Sequence, residues 1–498
     1  MVINKSKYCA FCQCPKMVWL KKNKTEEYIA DSAALDRMAS SNEICQLQRA
    51  IFGRFTDVSE KVANQNNTEQ LILKTKQLIN KGVKVLCKAA FEFDGTYCVV
   101  DMLKKEKNGY SLFRTKSSTT ANHHSYMVEL AFQKYILQKC GVVVNSVNVI
   151  NVNTNFKFKG RLNLKKLFKI TNVDELVNAE LETVETNIKN LKEVLELEVE
   201  PETTFHSGCH NPYPCGFWKY CSKNIPTPSV FDLYATSIQQ KAEYFNKGIV
   251  TFADVKNAGI ELGTIQNLQV NHHLNNLKTY VNKPEVEKFL NSLWYPLYFL
   301  DFETMQLGLP RYKNSRPYQP TPFQYSLHYI EHEGAEVKHI EFLANPFKDP
   351  RKQIAKSLCS AIPETACVLA YNKFFERDRI KDLAKLYPKM GAKLTAISKN
   401  VKDLMDPFTN GFVYNKNMGN SLSIKSVLPA LYPNEPSLNY DSLTDVQNGN
   451  DAMVIYPKLK TMKKPEREQT IKSLLEYCKL DTFAMVKIYE YLKTAIKE

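Results

Sequence analysis

The 498-residue sequence lacks any hydrophobic run long enough to cross a membrane. A membrane-spanning helix needs about 20 predominantly apolar residues, and no stretch approaches that length. The first residues, MVINKSKYCAFCQCPKMVWLKK, also lack a clean apolar segment followed by a small-residue cleavage site, which a secretory signal would show. We therefore expect a cytoplasmic protein with no membrane partner.

Acidic residues are the scarcer charge, with 52 Asp and Glu against 67 Lys and Arg, and the formal net charge is +15. An excess of this sign favours a polyanionic partner such as DNA or RNA. The alternative interpretation is that a Lys- and Asn-rich composition serves only solubility. No internal repeat or low-complexity tract is apparent.

Thirteen cysteines are present, and the length of the chain predicts two or three domains. In a cytoplasmic protein these cysteines are expected to be reduced thiols, metal ligands or small buried side chains rather than disulfides. The hydrophobic fraction of 44% is sufficient for a sizeable core.

The predicted elements have an α/β order and divide the chain into three parts. Residues 1–225 contain strands and helices in the order β-β-β-α-β, with strands at 83–94, 96–103, 111–118 and 142–152 and a helix at 125–140. Residues 226–290 are predicted to form a helical linker. Residues 291–498 begin with three strands and then alternate helices and strands, an order typical of an RNase H-like domain.

The stretch LYFLDFE places two acids at the end of an apolar strand. Side chains alternate along a strand, so Asp301 and Glu303 share one face. Two nearby carboxylates repel each other unless a cation lies between them, and Mg²⁺ or Mn²⁺ suits such oxygen ligands. Two such ions can activate water and stabilise the leaving oxygen of a phosphodiester. An exposed strand end with solvated acids is the alternative.

Three further residues strengthen the metal-site interpretation. Glu376 follows the strand ACVLAYN, which ends at Asn372, and begins the next helix. Tyr477 and Asp481 are four residues apart on the last helix and therefore share a face. The tyrosine can position an attacking water, and the acid can complete a metal site. Core packing of the tyrosine and a surface position for the acid are the alternatives.

These residues resemble the three motifs of the DEDD exonuclease superfamily in its tyrosine-bearing branch. The resemblance implies an RNase H-like fold and two-metal 3′–5′ hydrolysis of DNA or RNA. The second motif of that family usually ends in Asp, whereas this chain has Glu376. Asp403 or Asp406 could supply a supporting carboxylate, although a turn at the end of a strand is the favoured interpretation of both.

A second pattern is Cys209, Cys215 and Cys221 within GCHNPYPCGFWKYC. Three cysteines in thirteen residues suit a compact metal-binding loop. Cys14 is a candidate fourth ligand, and Cys9, Cys12 and His210 are rivals for that place. Chance spacing in a cysteine-rich chain is the alternative.

The arrangement resembles RecB-like nucleases of the CRISPR-adaptation and AddB types, which implies a [4Fe–4S] cluster, with zinc as the alternative. It also implies a PD-(D/E)XK active site, which Asp101, Lys116 and Gln133 match. Arg114 stands where the second acid belongs, and Lys88 replaces an earlier acid. We therefore expect a degenerate nuclease site whose basic residues and Gln133 bind nucleic acid, unless Glu92 or Asp94 compensates.

Over almost its whole length, the chain resembles uncharacterised bacterial proteins, known in mollicutes among others, that join these two parts. The expected activity is a metal-dependent nuclease in residues 291–498. The alternative is an inactive nucleic-acid-binding or assembly protein of a DNA repair or defence complex.

Overall fold

The computed structural model of the chain describes residues 2–30, 34–62, 67–211, 213–435, 438 and 446–497. Two compact units are present. The first comprises Met1–Asn224 and Leu307–Tyr318, and the second comprises Ile225–Gln306 and Gln319–Glu498. Each unit contains helices and sheet strands, so the predicted α/β class is confirmed.

The first unit is built on a seven-stranded mixed sheet. Its strands are β1 (Ile3–Asn4), β2 (Thr56–Asp57), β3 (Val85–Phe93), β4 (Thr96–Glu106), β5 (Gly109–Thr115), β6 (Val144–Val152) and β7 (Phe168–Asn172). The order across the sheet is β2-β3-β4-β5-β6-β7, with β1 added parallel to β4. Strands β3, β4 and β5 are antiparallel neighbours, and β6 is parallel to β5. The β-β-β-α-β order predicted for this region is confirmed.

Eight helices accompany this sheet in the described part of the unit. They are α1 (Lys5–Gln13), α2 (Pro15–Asn23), α3 (Ala34–Arg49), α4 (Thr68–Asn80), α5 (His124–Lys139), α6 (Leu164–Leu167), α7 (Asp174–Glu196) and α8 (Trp218–Cys221). Helix α7 buries Val177, Val184, Ile188, Leu191 and Leu195. Their spacing of three, four or seven residues forms one apolar stripe, which explains why this segment is a helix packed on the core.

The second unit contains a five-stranded sheet and a separate strand pair. The strands are β8 (Thr279–Val281), β9 (Leu297–Met305), β10 (Thr321–Ile330), β11 (Lys338–Leu343), β12 (Cys367–Ala370), β13 (Val401–Asp403) and β14 (Val413–Asn415). The sheet order is β11-β10-β9-β12-β13, and β14 pairs with β8. Strands β9, β10 and β11 are antiparallel neighbours, whereas β12 and β13 are added in parallel.

The described helices of the second unit surround this sheet and strand pair. They are α9 (Ile238–Asn246), α10 (Phe252–Asn257), α11 (Thr264–Leu274), α12 (Lys283–Asn291), α13 (Pro350–Ala361), α14 (Lys373–Leu386), α15 (Pro388–Lys399), α16 (Asp406–Thr409), α17 (Ile424–Leu431), α18 (Gly449–Lys458) and α19 (Lys464–Ala495). Strand β9 is buried along nearly its whole length. A central strand covered on both sides needs apolar residues at consecutive positions, which accounts for the run LYFL.

Two details differ from the sequence prediction. The region predicted to be a helical linker, 226–290, lies within the second unit and contains strand β8 as well as helices. The segment Leu307–Tyr318 follows β9 in the chain but belongs to the first unit, where the Tyr318 hydroxyl donates to the carbonyl of Ser117 at 2.5 Å. Such a tertiary contact leaves no periodic signal in the sequence. Among the described residues, no helix is long and apolar enough to cross a membrane.

Candidate active site

Strand β9 presents Asp301 and Glu303 on one face of the sheet. The strand lies between β10 and β12, and Asp301 is opposite Ser326 in the register with β10. Phe302 points to the other face and belongs to the core with Leu300. The apolar residues of the strand therefore stabilise the sheet, while its acids face a different surface.

Helix α19 brings Tyr477 and Asp481 to the same place. The side-chain amide of Gln324 on β10 donates to the carbonyl of Leu474 at 2.7 Å. A second contact, of 2.7 Å, joins the hydroxyls of Ser326 and Thr482. Together these contacts fix the register of the helix on the sheet. Tyr477 and Asp481 are 4% and 7% exposed, so both are held in the interior.

Glu376 lies in the first turn of α14. Asn372 precedes that helix with a left-handed backbone, at φ 72°. The carboxylate of Asp403 accepts hydrogen bonds from the backbone amides of Asn372, Lys373 and Met405, each at 3.0 Å. Asp403 therefore holds the strand end and the helix start together, in agreement with the turn role favoured from the sequence.

The tightest group of potential ligands includes a cysteine. Donor atoms of Asp301, Glu303 and Cys478 all lie within 4.8 Å of one another. Glu376 and Asp481 join no group of three that tight in the described ranges. The sequence analysis did not single out Cys478. Its position three residues before Asp481 could have indicated that it lies near the acids, because residues three apart share a helix face.

The acids of this group raise one another's pKa values. Burial raises the pKa of Asp301 well above its usual value, and the charges of Asp481 and Glu303 raise it further. Burial and Asp481 also raise the pKa of Glu303, which Lys425 partly offsets. Burial raises the pKa of Glu376 to about 8. Negative charge in this place is therefore unfavourable unless a cation is added.

A cavity of about 550 Å³ opens at these side chains. The predicted residues that line it are Asp301, Glu303, Tyr477 and Asp481. Lys425 at the start of α17 also lines it, with its Nζ atom 5.0 Å from the centre of the Tyr477 ring. On the opposite side, Gly449 begins α18 so close that a Cβ atom there would lie 3.8 Å from Oε2 of Glu303. A small ligand can therefore reach the acids.

The donor set fits Mg²⁺ or Mn²⁺, which prefer carboxylate oxygens and water. Glu376 is only 3% exposed, and its Oε2 atom has no hydrogen-bond partner within the described chain. Buried polar oxygens are nearly always satisfied, so an unpaired one calls for an explanation such as a missing cation or water. The arrangement therefore has an excess of negative charge that a cation would neutralise and an unpaired carboxylate oxygen that a cation could bind.

In the first unit, the four predicted cysteines come together. Cys14 lies at the sharp break between α1 and α2. The amide of Cys215 donates to the carbonyl of Cys209 at 2.8 Å, which closes the late loop. Burial raises the pKa of Cys221 to about 11, and the other three thiols add to the shift. The side chain of Gln13 donates to the Gly208 carbonyl at 2.7 Å and joins the early and late segments.

The alternative candidates for the fourth ligand, Cys9, Cys12 and His210, have other neighbours. Burial and then the charge of Glu129 raise the pKa of Cys9. Burial raises the pKa of Cys12, and a hydrogen bond with Tyr8 partly offsets this rise. His210 packs against Trp218 with ring centres 4.6 Å apart. In the described residues, no three of the four clustered sulfurs lie within 4.8 Å of one another.

The predicted degenerate nuclease site is a network of ion pairs. Arg114 lies 2.6 Å from Asp101 and 2.7 Å from Glu129, and Lys116 lies 3.0 Å from Glu129. Lys5 adds a third cation to Glu129 at 2.9 Å. Burial opposes ionisation of Glu129, but these cations outweigh it and lower its pKa to about 2. Glu129, which the sequence analysis did not include, is the centre of this network.

This network changes the expectation of an open basic cleft. Lys88 is paired with Asp57 at 3.1 Å, so all three predicted phosphate-binding cations have carboxylate partners. Gln133 is fully buried and donates to the carbonyl of Val99 at 3.0 Å. From that position Gln133 supports strand β4 and cannot contact a nucleic acid. Sequence spacing identified these residues but could not reveal their partners on other elements.

Comparison with known proteins finds a described domain that resembles part of the chain. Residues 298–423 match a domain of unknown function designated DUF2779. Over 225 residues the chain is 27% identical to the uncharacterised protein MG366 of Mycoplasma genitalium. That alignment covers 42% of this chain and 33% of the relative, so the chain spans about a third of the relative's length. A mollicute relative is consistent with the resemblance drawn from the sequence, and neither match carries an activity.

Proposed function

We propose that the second unit is a divalent-metal-dependent nuclease of the DEDD type, which removes nucleotides from the 3′ end of DNA or RNA. The observation that carries this proposal is a set of acids, Asp301, Glu303, Glu376 and Asp481, whose charges act on one another, with Asp301, Glu303 and Asp481 lining a cavity. The sheet also supports an RNase H-like fold, because three antiparallel strands are followed by two parallel strands joined through helices.

In this proposal, Asp301, Glu303 and Asp481 hold Mg²⁺ or Mn²⁺. When bound, such ions supply an activated water and stabilise the leaving oxygen of a phosphodiester. Tyr477 lines the cavity and orients the attacking water by its hydroxyl. Lys425 lies over the Tyr477 ring and offers a positive charge to the phosphate. Glu376 supports the metal ligands from behind them through its unpaired oxygen.

The entrance to the cavity has features that suit a nucleic-acid strand. Phe375 lines the cavity, and its neighbour Phe374 is 63% exposed, with the Lys373 ammonium 5.5 Å from its ring centre. An exposed aromatic ring beside a cation can stack on a base while the cation meets the phosphate. The net charge of +15 supports a polyanionic substrate in the same way.

For the first unit we propose a PD-(D/E)XK-like domain without catalytic metal, stabilised by a [4Fe–4S] cluster on Cys14, Cys209, Cys215 and Cys221. The ion pairs that occupy Asp101 and Glu129 support the loss of metal binding. Anaerobically purified protein should absorb broadly in the visible range near about 400 nm, and Cys215→Ser should lose this absorption. Colourless protein with stoichiometric zinc would assign the cysteines to zinc instead.

The nuclease proposal is tested with 5′-labelled single-stranded DNA and RNA in the presence of Mn²⁺ or Mg²⁺. We expect progressive shortening from the 3′ end. Asp301→Asn should reduce the rate more than about 100-fold, because loss of even an outer partner of a metal ligand costs 10–100-fold. Asp378→Asn is the matched control, since this carboxylate is exposed on α14 and paired with Lys381 at 3.9 Å.

Two results would overturn the proposal. If neither strand is shortened, or if Asp301→Asn shortens it as fast as the unaltered chain, this unit is not the nuclease. Binding of the labelled strands without shortening would favour the alternative of a nucleic-acid-binding or assembly protein of a DNA repair or defence complex.

A further inference from the structure

The buried thiol of Cys478 lies against the acids of the proposed metal site. Its Sγ atom is 3.8 Å from both the carbonyl oxygen and the Oδ2 atom of Asp301. One donor atom each from Asp301, Glu303 and Cys478 lies within 4.8 Å of the other two. A single ion bound at about 2.0–2.3 Å by oxygen and sulfur separates such donors by about 3.6 Å. Small side-chain adjustments would therefore bring all three to one ion.

The position of Cys478 is set by the packing of α19 and does not depend on a ligand. Contacts of Leu474 and Thr482 with strand β10 hold the helix one turn before and one turn after the thiol. Cys478 is fully buried, so its side chain has no solvent-exposed alternative. The sulfur is thus held beside the acids in the same way as a preorganised ligand.

A second, independent observation points to a cation here. The buried Oε2 atom of Glu376 has no hydrogen-bond partner within the described chain. Glu376 lies in the first turn of α14, a helix that contacts strand β9, and its neighbour Phe375 lines the cavity. A buried carboxylate oxygen without a partner, on a helix that contacts the strand of the two acids, calls for an explanation such as a bound cation.

We propose that Cys478 is a metal ligand of this site, and that its thiolate gives the site a preference for thiophilic divalent ions such as Co²⁺ or Zn²⁺ over Mg²⁺. Thiolates favour softer ions, whereas carboxylates and water alone suit Mg²⁺. On binding, the S–H bond of Cys478 breaks, its proton passes to the solvent, and a sulfur–metal bond forms. The proposal deepens the proposed function and rests on the same metal site.

Cobalt provides the test, because a thiolate bound to Co²⁺ gives an intense charge-transfer absorption in the near ultraviolet. The full chain is titrated with Co²⁺ anaerobically, and the spectra of Cys478→Ala, Asp301→Asn and Cys367→Ala are subtracted from that of the unaltered chain. Cys367 is equally buried, on β12, and is the matched control. Any cobalt bound by cysteines of the first unit is common to all four proteins and cancels.

We expect the same part of the charge-transfer absorption to be lost in Cys478→Ala and in Asp301→Asn. Cys367→Ala should retain it. Cys478→Ala should also lower the Co²⁺ affinity of this site about 10-fold or more, while Mg²⁺ affinity changes less. If Asp301→Asn loses cobalt but Cys478→Ala has an unaltered spectrum, the site is built from oxygen only, and the role of Cys478 is wrong while the nuclease proposal stands. If neither variant changes cobalt or manganese binding, both proposals fail.

Discussion

The two units each contain buried acids, but they balance them in different ways. In the first unit, Asp101 and Glu129 are surrounded by Arg114, Lys116 and Lys5, and the pKa of Glu129 is lowered to about 2. In the second unit, the acids around Asp301 outnumber the cations beside them, and their pKa values are raised. The same kind of residue is therefore neutralised by cations of the protein in one place and has an excess of negative charge around it in the other.

The difference between the two groups of acids lies in the cations that accompany them. A guanidinium between two carboxylates satisfies them with five donors in a fixed plane. It also removes the electrostatic reason to bind a divalent ion. Where no such guanidinium lies between the acids, their mutual repulsion favours the binding of a divalent ion. Burial and the number of acids alone therefore do not distinguish the two groups, whereas the balance of charge does.

The largest expected effect is on the first unit. Arg114→Gln should lower the free energy of unfolding by about 3–5 kcal/mol, because it leaves two buried carboxylates without their shared partner. Chemical denaturation at neutral pH measures this change. Lys104→Gln is the control, since its pair with Glu106 is largely exposed and is worth about 1 kcal/mol or less.

This effect has a defined pH dependence. The pKa of Glu129 is lowered in the folded state, to about 2 from an ordinary value of 4.5. The stabilisation by Arg114 is therefore complete above about pH 4.5 and decreases as the pH falls towards 2. A difference between Arg114→Gln and the unaltered chain that stays constant over this range would show that the pairing is not its cause.

A smaller effect is expected when a cation is supplied to the second unit. Mn²⁺ at 100 times its Kd should stabilise the unaltered chain by about 2.7 kcal/mol, since it binds the folded state only. Thermal unfolding with Mn²⁺ or with a chelator measures this gain. Asp301→Asn should show little gain, whereas Asp378→Asn should show all of it. Equal stabilisation of Asp301→Asn would place the bound ion elsewhere.

The smallest effect concerns Glu376, whose pKa is raised in the folded state to about 8 from an ordinary 4.5. The unfolded chain releases this proton first, so stability without metal should fall as the pH rises from about 4.5 to 8. Glu376→Gln has no proton to lose and should become the more stable protein, by about 1–2 kcal/mol at pH 8, where neighbouring acids share part of the titration.

Denaturation in a chelator at pH 5 and pH 8 tests this prediction. Glu376→Gln and the unaltered chain should be nearly equal at pH 5 and should differ at pH 8. A variant that is less stable at both values would show that Glu376 contributes through packing or hydrogen bonds rather than through its charge.

Much of the secondary structure could be predicted from periodicity. The strands around Asp101 and Arg114, the helix that carries Gln133 and the last long helix occur within a few residues of their expected bounds. These elements have regular apolar spacing, which is a local property of the chain. Strand β8 was missed because three residues are too few to show a period.

The candidate site was only partly predictable. The two acids on one strand and the i, i+4 spacing of Tyr477 and Asp481 follow from geometry within single elements. The position of Cys478 against Asp301 depends on the register of α19 on the sheet, which contacts remote in sequence determine. For the same reason, the partners of Arg114 and Lys88 could not be foreseen.

By itself, the sequence determined which side chains can bind a cation and which neighbours share a strand or helix face with them. Only the tertiary structure decided which charges meet. It placed three cations on the acids of the first unit and a thiol beside the acids of the second. The physical reason is that electrostatic energies depend on distances and burial across elements, and no local pattern encodes these.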